Sequence, residues 1–322
     1  MSLADPPGVR DILAVDLLGG IGDLVMLLPS IHALARRHPR AAVRVLTHAP
    51  GSVLLAADPA VVEVRTAEKG DERAGVVAEL ERRRFDLVVS TTRYDGIPAE
   101  IERRVLRSVT DLWRRPPPDE LVSRRYLRIL AAEGLVDGDY APPRIHLTDA
   151  ERAGGLRFLG ELVPLGAAPV VVVPDAGMAV KRWPHLGEFV ADLTGRGVPV
   201  LVLGQDVPPV DLRGLAAFFA AVGQRGGVVV GPDTGPVRMA AAVGARTVGL
   251  FGPTVAARYG LDPPSVDVQG LPGCPHRRPT AITDQVCWWD ATCPLAADGP
   301  ACMADLAPTR VGAAVLAALR SG

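Results

Sequence analysis

Lysine is almost missing from this 322-residue chain: of 35 basic residues only Lys69 and Lys181 are not arginine. Such a bias suggests a GC-rich genome in which arginine codons displace lysine codons wherever either cation serves. A lysine retained under that bias is a candidate for a role that needs a compact ammonium, because the guanidinium fork is a different object. Apolar runs approaching the ~20 residues of a membrane span are also lacking, as is a charged-then-apolar leader ending in a cleavage site. The expected location is therefore the cytoplasm. A global basic field is absent too: the net charge is −1, which argues against a nucleic-acid partner. Cysteine does not occur before Cys274, and Cys274, Cys287, Cys293 and Cys302 match no common zinc spacing. Free thiols are the default reading.

One region is unbalanced. Between residues 82 and 128 twelve arginines face seven acids. An anionic acceptor or a peripheral membrane contact would suit that excess, although an arginine-rich solvated helix face is the commoner explanation.

What is present is alternation. ILAVDLL, a helix to about His38, AVRVLTH, a helix near residues 73–84 and FDLVVST alternate strand with helix in the first half, which predicts βαβ units and a parallel sheet. PPP at 116–118 breaks the chain before the helical spacing of LVSRRYLRILAAEGL, and DYAPPRIHLTD reads as an extended inter-domain passage. The alternation restarts after Gly166 with PVVVVPDAG, HLGEFVADLTGRG, VPVLVLG, LRGLAAFFAAVG and GVVVGPDTG. The expectation is α/β architecture with two doubly wound domains and a cleft between them, divided as 1–150, 151–308 and a final helix at 309–322.

Within the first alternation, residues 16–39 read DLLGGIGDLVMLLPSIHALARRHP. Leu24, Leu27, Leu28, Ile31 and Leu34 share a helix face, with Pro29 expected to kink the first turns. Asp23 stands at that helix start behind Gly20 and Gly22. It reads either as an N-cap or as a site residue at the carboxyl end of a parallel strand. A dinucleotide fingerprint fails, because Val25 occupies the third glycine position and VRVLTH ends without a ribose-binding acid.

In the second half, GPDTGPVRMAAAVG puts Asp233, Thr234 and Gly235 in a tight turn before a helix, where N–H groups, the helix dipole and a hydroxyl suit a phosphate or diphosphate. A plain turn with an Asp cap has the same pattern. PDAGMAVKRWP brings Lys181, a cation able to neutralise charge on a leaving diphosphate.

Together, GIGDLVMLLPSIHAL, VKRWP and GPDTGPVRMAAAVGARTVGLFGPT resemble, in that order, the motifs of glycosyltransferase family 9, the heptosyltransferase-like enzymes. The resemblance implies the GT-B fold, two Rossmann-like doubly wound parallel-sheet domains facing across a cleft, with the last helix returning to the N-terminal domain. It implies Asp23 as general base, Lys181 on donor phosphate, and Asp233, Thr234 and Gly235 holding the nucleotide diphosphate beside Gly20, Gly22 and Arg238. It also implies inverting transfer from a nucleotide-diphosphate sugar, ADP-heptose favoured, to a glycan, lipopolysaccharide-core or small-molecule hydroxyl, with no metal and no further cofactor.

Three stretches depart from the family's pattern. Arg238 replaces the usual His of the DTG helix, QDVPPVDLRG is short where a nucleotide contact and a further helix are usual, and TTRYDGIPAE lacks the common pattern of the acceptor side. Base, ribose and acceptor recognition are therefore not carried over. The alternatives are a nucleotide-sugar epimerase on the same fold and a non-catalytic nucleotide-sugar-binding protein. An epimerase needs additional acid/base groups around the sugar, and none is evident.

Overall fold

The computed structural model describes residues 8–114, 117, 119–174 and 177–321. Pro116 and Pro118 of the expected chain break, and Asp175 and Ala176 of the PDAG loop, lie outside them.

The chain forms two compact units, one of residues up to 116 with 122–146, the other of 117–121 with 147 onward. The first unit holds β1 (Asp11–Asp16), α1 (Ile21–Arg37), β2 (Ala42–Thr47), β3 (Glu63–Thr66), α2 (Glu72–Arg82), β4 (Leu87–Ser90), α3 (Ile97–Arg104), β5 (Ser108–Val109) and α4 (Val122–Ala132). The second holds α5 (Asp149–Leu162), β6 (Val170–Val172), α6 (Leu186–Gly195), β7 (Val200–Val202), α7 (Leu212–Gln224) and β8 (Val228–Pro232). It continues with α8 (Gly235–Ala242), β9 (Arg246–Phe251), α9 (Ala256–Tyr259), β10 (Val266–Gln269), α10 (Ala301–Ala304) and α11 (Pro308–Arg320).

Every strand pairing is parallel, in the order β3-β2-β1-β4-β5 in the first sheet and β10-β9-β8-β6-β7 in the second. A parallel sheet is covered on both faces, so its strands read as unbroken apolar runs; Ile12, Leu13, Ala14 and Val15 are all fully buried. The direction in which strands are added reverses between β1 and β4 in one sheet and between β6 and β8 in the other. Such reversals open a crevice at the carboxyl ends of the strands, where ligands of open α/β sheets bind.

The first core packs Leu13, Val15, Leu46 and Val88 against Val76, Ile97 and Ile101 of the covering helices. The second packs Val170, Val172, Val228, Val230 and Val248 against Phe189 and Leu193. In the second unit α5 lies against α7, and a Cβ at Gly155 would overlap the Ala217 carbonyl, so only glycine permits that approach.

Residues 117–121 belong to the second unit, where Arg258 donates to the Pro117 carbonyl at 2.7 Å. The second unit resumes at Leu147, just before α5, whose start is fixed by a reciprocal capping box between Thr148 and Glu151. The final helix, α11, clusters with the second unit and places Val311, Val315 and Ala318 in the second core. Its apolar stripe is spent on the sheet that precedes it in sequence.

Candidate functional site

The glycine turn after β1 is built for a close carboxylate. Gly19 adopts φ of +103°, a left-handed conformation that suits glycine. Gly20 is the extended residue capping α1 and offers no side chain to do so. Gly22 and Asp23 therefore lie in the first helical turn, and Asp23 is not the cap; its N–H donates to the Gly20 carbonyl at 3.1 Å. A Cβ at Gly20 would stand 2.8 Å from Asp23 Oδ2, so the missing side chain leaves room for the carboxylate. At this position an acid also complements the positive helix end. Pro29 sits inside an unbroken α1.

A second acid, not singled out from the sequence, ends β1. Asp16 is buried, accepts a hydrogen bond from Thr91 Oγ1 at 2.6 Å, and lines a small pocket of about 30 Å³ with Gly19, Gly20, Thr47 and His48. Thr91 follows β4, so this bond spans the point where the sheet reverses. Burial, with the neighbouring charge of Asp23, pushes the Asp16 carboxyl up to about 8, against the opposing Thr91 bond. The unusual TTRY stretch acts here too: Leu17 N–H donates to Thr92 Oγ1 at 2.9 Å, and Tyr94 donates to the Leu17 carbonyl.

The second constellation spans the reversal in the other sheet. Lys181 ends a short 3-10 turn after β6, and its Nζ donates to the Asp233 carbonyl at 2.7 Å and to Asp233 Oδ2 at 3.2 Å. Asp233 follows β8. Its Oδ1 accepts from Arg238 at 2.5 Å and its Oδ2 from Thr254 Oγ1 at 2.9 Å, while Arg238 also donates to the Tyr259 carbonyl. Burial would raise this carboxyl, yet Arg238, Lys181 and Thr254 outweigh it and hold Asp233 at about 2. Two cations face one acid, leaving net positive charge at the start of α8.

The Asp233 carboxylate is therefore enclosed and braces the loop. Thr234, the extended cap residue of α8, makes no side-chain cap bond, and its buried hydroxyl has no hydrogen-bond partner among the described residues. Gly235 opens the helix, whose first-turn N–H groups lack intrahelical acceptors. An anion at this terminus would meet that hydroxyl, those N–H groups and the helix dipole. The Trp288 ring, centred 5.6 Å from Lys181 Nζ, adds a cation–π contact that spacing in the sequence did not reveal.

Arg82 pairs with Glu63 and Glu79, Arg103 and Arg104 pair with Glu100, and Arg125 is fully buried. The sequence contains one Asp-x-Asp spacing, Asp137-Gly138-Asp139, and there Asp137 is held by Arg37 at 3.2 Å.

Residues 207–271, which carry the Asp233 loop, match the profile of glycosyltransferase family 9 (heptosyltransferase). The resemblance to family 9 holds. Among solved structures, the Escherichia coli ADP-heptose LPS heptosyltransferase II is similar with a TM-score of 0.69 at 17% identity, over 97% of this chain and 99% of that one. A family 9 glycosyl transferase from Veillonella parvula gives 0.66 at 14% identity, over 80% and 85%. The E. coli heptosyltransferase WaaC with ADP gives 0.58 at 17%, over 86% and 96%. No curated protein matches the chain. These likenesses establish the GT-B fold and, with the family 9 match, support a glycosyltransferase. No helix among the described residues is long and apolar enough to cross a membrane.

Proposed function

We propose that the protein is an inverting glycosyltransferase that moves a sugar, ADP-heptose being the favoured donor, to a hydroxyl of a glycan or small-molecule glycoside. The observation that carries this reading is the pairing of Lys181 with the Asp233 loop at the start of α8, beside the unpartnered Thr234 hydroxyl. A diphosphate is a ligand whose charge and oxygens such a terminus satisfies. Thr234 and the N–H groups beginning at Gly235 bind its oxygens, and Lys181 neutralises the charge that grows as it leaves. Arg238 supports the loop through Asp233.

In the first unit Asp23 takes the proton of the acceptor hydroxyl. The acceptor oxygen bonds to the anomeric carbon on the face opposite the diphosphate, whose C–O bond breaks with its electron pair, so the configuration inverts. Lysine and the helix terminus supply the positive charge, so this reading needs no metal in the reaction, which takes place in the cytoplasm.

Calorimetric titration of ADP, GDP and UDP into wild type and Lys181→Ala tests the phosphate assignment. ADP should bind most tightly, and the variant should lose affinity for all three. If Lys181→Ala binds each as tightly as wild type, the diphosphate does not lie at this loop.

A further inference from the structure

The first unit contains a cluster that glycosyl transfer does not use. His32 projects from α1, Asp58 lies in the connection between β2 and β3, and His146 ends the extended segment after α4. Their side-chain donor atoms all lie within 4.8 Å of one another. His32 Nε2 is 2.8 Å from Asp58 Oδ2, and the His146 ring stands edge-on to His32 with centroids 5.6 Å apart. The Asp58 side chain is 1% exposed and that of His32 14%.

The outer arrangement directs the donors inward. Asp58 Oδ1 accepts the Ala60 N–H at 2.9 Å, which fixes the carboxylate plane and aims Oδ2 at the imidazoles. A hydrogen bond to the second oxygen of a ligating carboxylate is how metal sites orient their ligands. The donors are a carboxylate and two imidazoles, a set that suits zinc.

We propose that His32, Asp58 and His146 form a zinc site. Bonds of about 2.0–2.1 Å place tetrahedral donors about 3.3 Å apart, so the pair at 2.8 Å opens slightly and His146 closes by side-chain rotation. The ion clamps three segments that are far apart in sequence: α1, the β2–β3 connection and the stretch leading out of the unit. The clamp is separate from Asp23: His32 lies nine residues beyond it on α1, about 13.5 Å along the helix axis at 1.5 Å per residue. The site is independent of the glycosyltransferase reading, and either assignment stands if the other fails.

The test uses untagged full-length protein, stripped with chelator and titrated with zinc by calorimetry, with cobalt as a spectroscopic substitute. Because the cysteines of the second unit are rival ligands, wild type is compared with His146→Ala, which leaves the His32–Asp58 pair in place, and with Asp58→Asn. Wild type should bind one more equivalent than either variant, melt at a higher temperature with zinc, and show a visible cobalt spectrum without sulfur charge-transfer bands. Equal stoichiometry in wild type and His146→Ala, or no binding by wild type, overturns the site.

Discussion

Replacing Asp16 by Asn should make the first unit more stable as the pH rises, against the usual expectation for losing a buried, hydrogen-bonded side chain. Asn keeps an oxygen for the Thr91 hydroxyl, 2.6 Å from Asp16 Oδ1 in the wild type, and removes the ionisable proton. Burial, then the charge of Asp23, raise the carboxyl from 3.8 to about 8 in the folded protein. Between those values the unfolded chain releases a proton that the folded chain holds. Wild-type stability is therefore full below about pH 4 and falls as the pH climbs toward 8. The slope approaches about 1.4 kcal/mol per pH unit, so the variant should gain up to about 4 kcal/mol on wild type between pH 5 and pH 8. Urea denaturation of both proteins at pH 5, 6, 7 and 8, followed by circular dichroism, measures the difference, in which titrating groups remote from Asp16 cancel. Two curves that stay parallel across this range would refute the argument and show that Asp16 ionises normally.

Asp23→Asn should fold as wild type, because Gly20 and not Asp23 caps α1, and should lose turnover by roughly 10²–10⁴-fold at saturating donor and acceptor, the usual worth of a general base. Near-normal turnover would leave the proposed mechanism without its base. Val315→Ala removes two buried methyl groups from the second core, where Val315 is fully enclosed; the second unit should lose about 2–3 kcal/mol, read as a lower calorimetric transition for that unit, and an unmoved transition would show that α11 contributes nothing to this core.

The glycine turn and the strand before it were legible because ILAV, Gly19-Gly20 and the apolar face of α1 are local signals. The same holds for the Asp233 loop, bounded by an apolar run and a helix. Strand order was not legible, since it depends on pairings between distant segments. β3 escaped notice because Glu63–Thr66 is a half-exposed edge strand with no apolar run. The stripe of α11 announced burial but not the surface it would cover. Asp16 did leave a trace that went unread: an acid closing a run that is otherwise fully buried is uncommon. Lys181 stood out by the scarcity of its kind, yet only the fold shows that it meets Asp233. His32, Asp58 and His146 have no motif spacing, because a helix, a loop and an extended segment bring them together.

Lys181 has its ammonium fixed by two oxygens of Asp233, with Trp288 beside it. Most of a lysine's rotamer freedom, on the order of 2 kcal/mol, has therefore been surrendered during folding. An incoming anion meets a cation that needs no further ordering and gains attraction without a matching loss of motion. The cost moves to selectivity: an anion must compete with the carboxylate next to the ammonium, so a singly charged species gains little while a multiply charged one can win. If the proposed diphosphate binds here, the brace between the two loops sets a charge threshold for it.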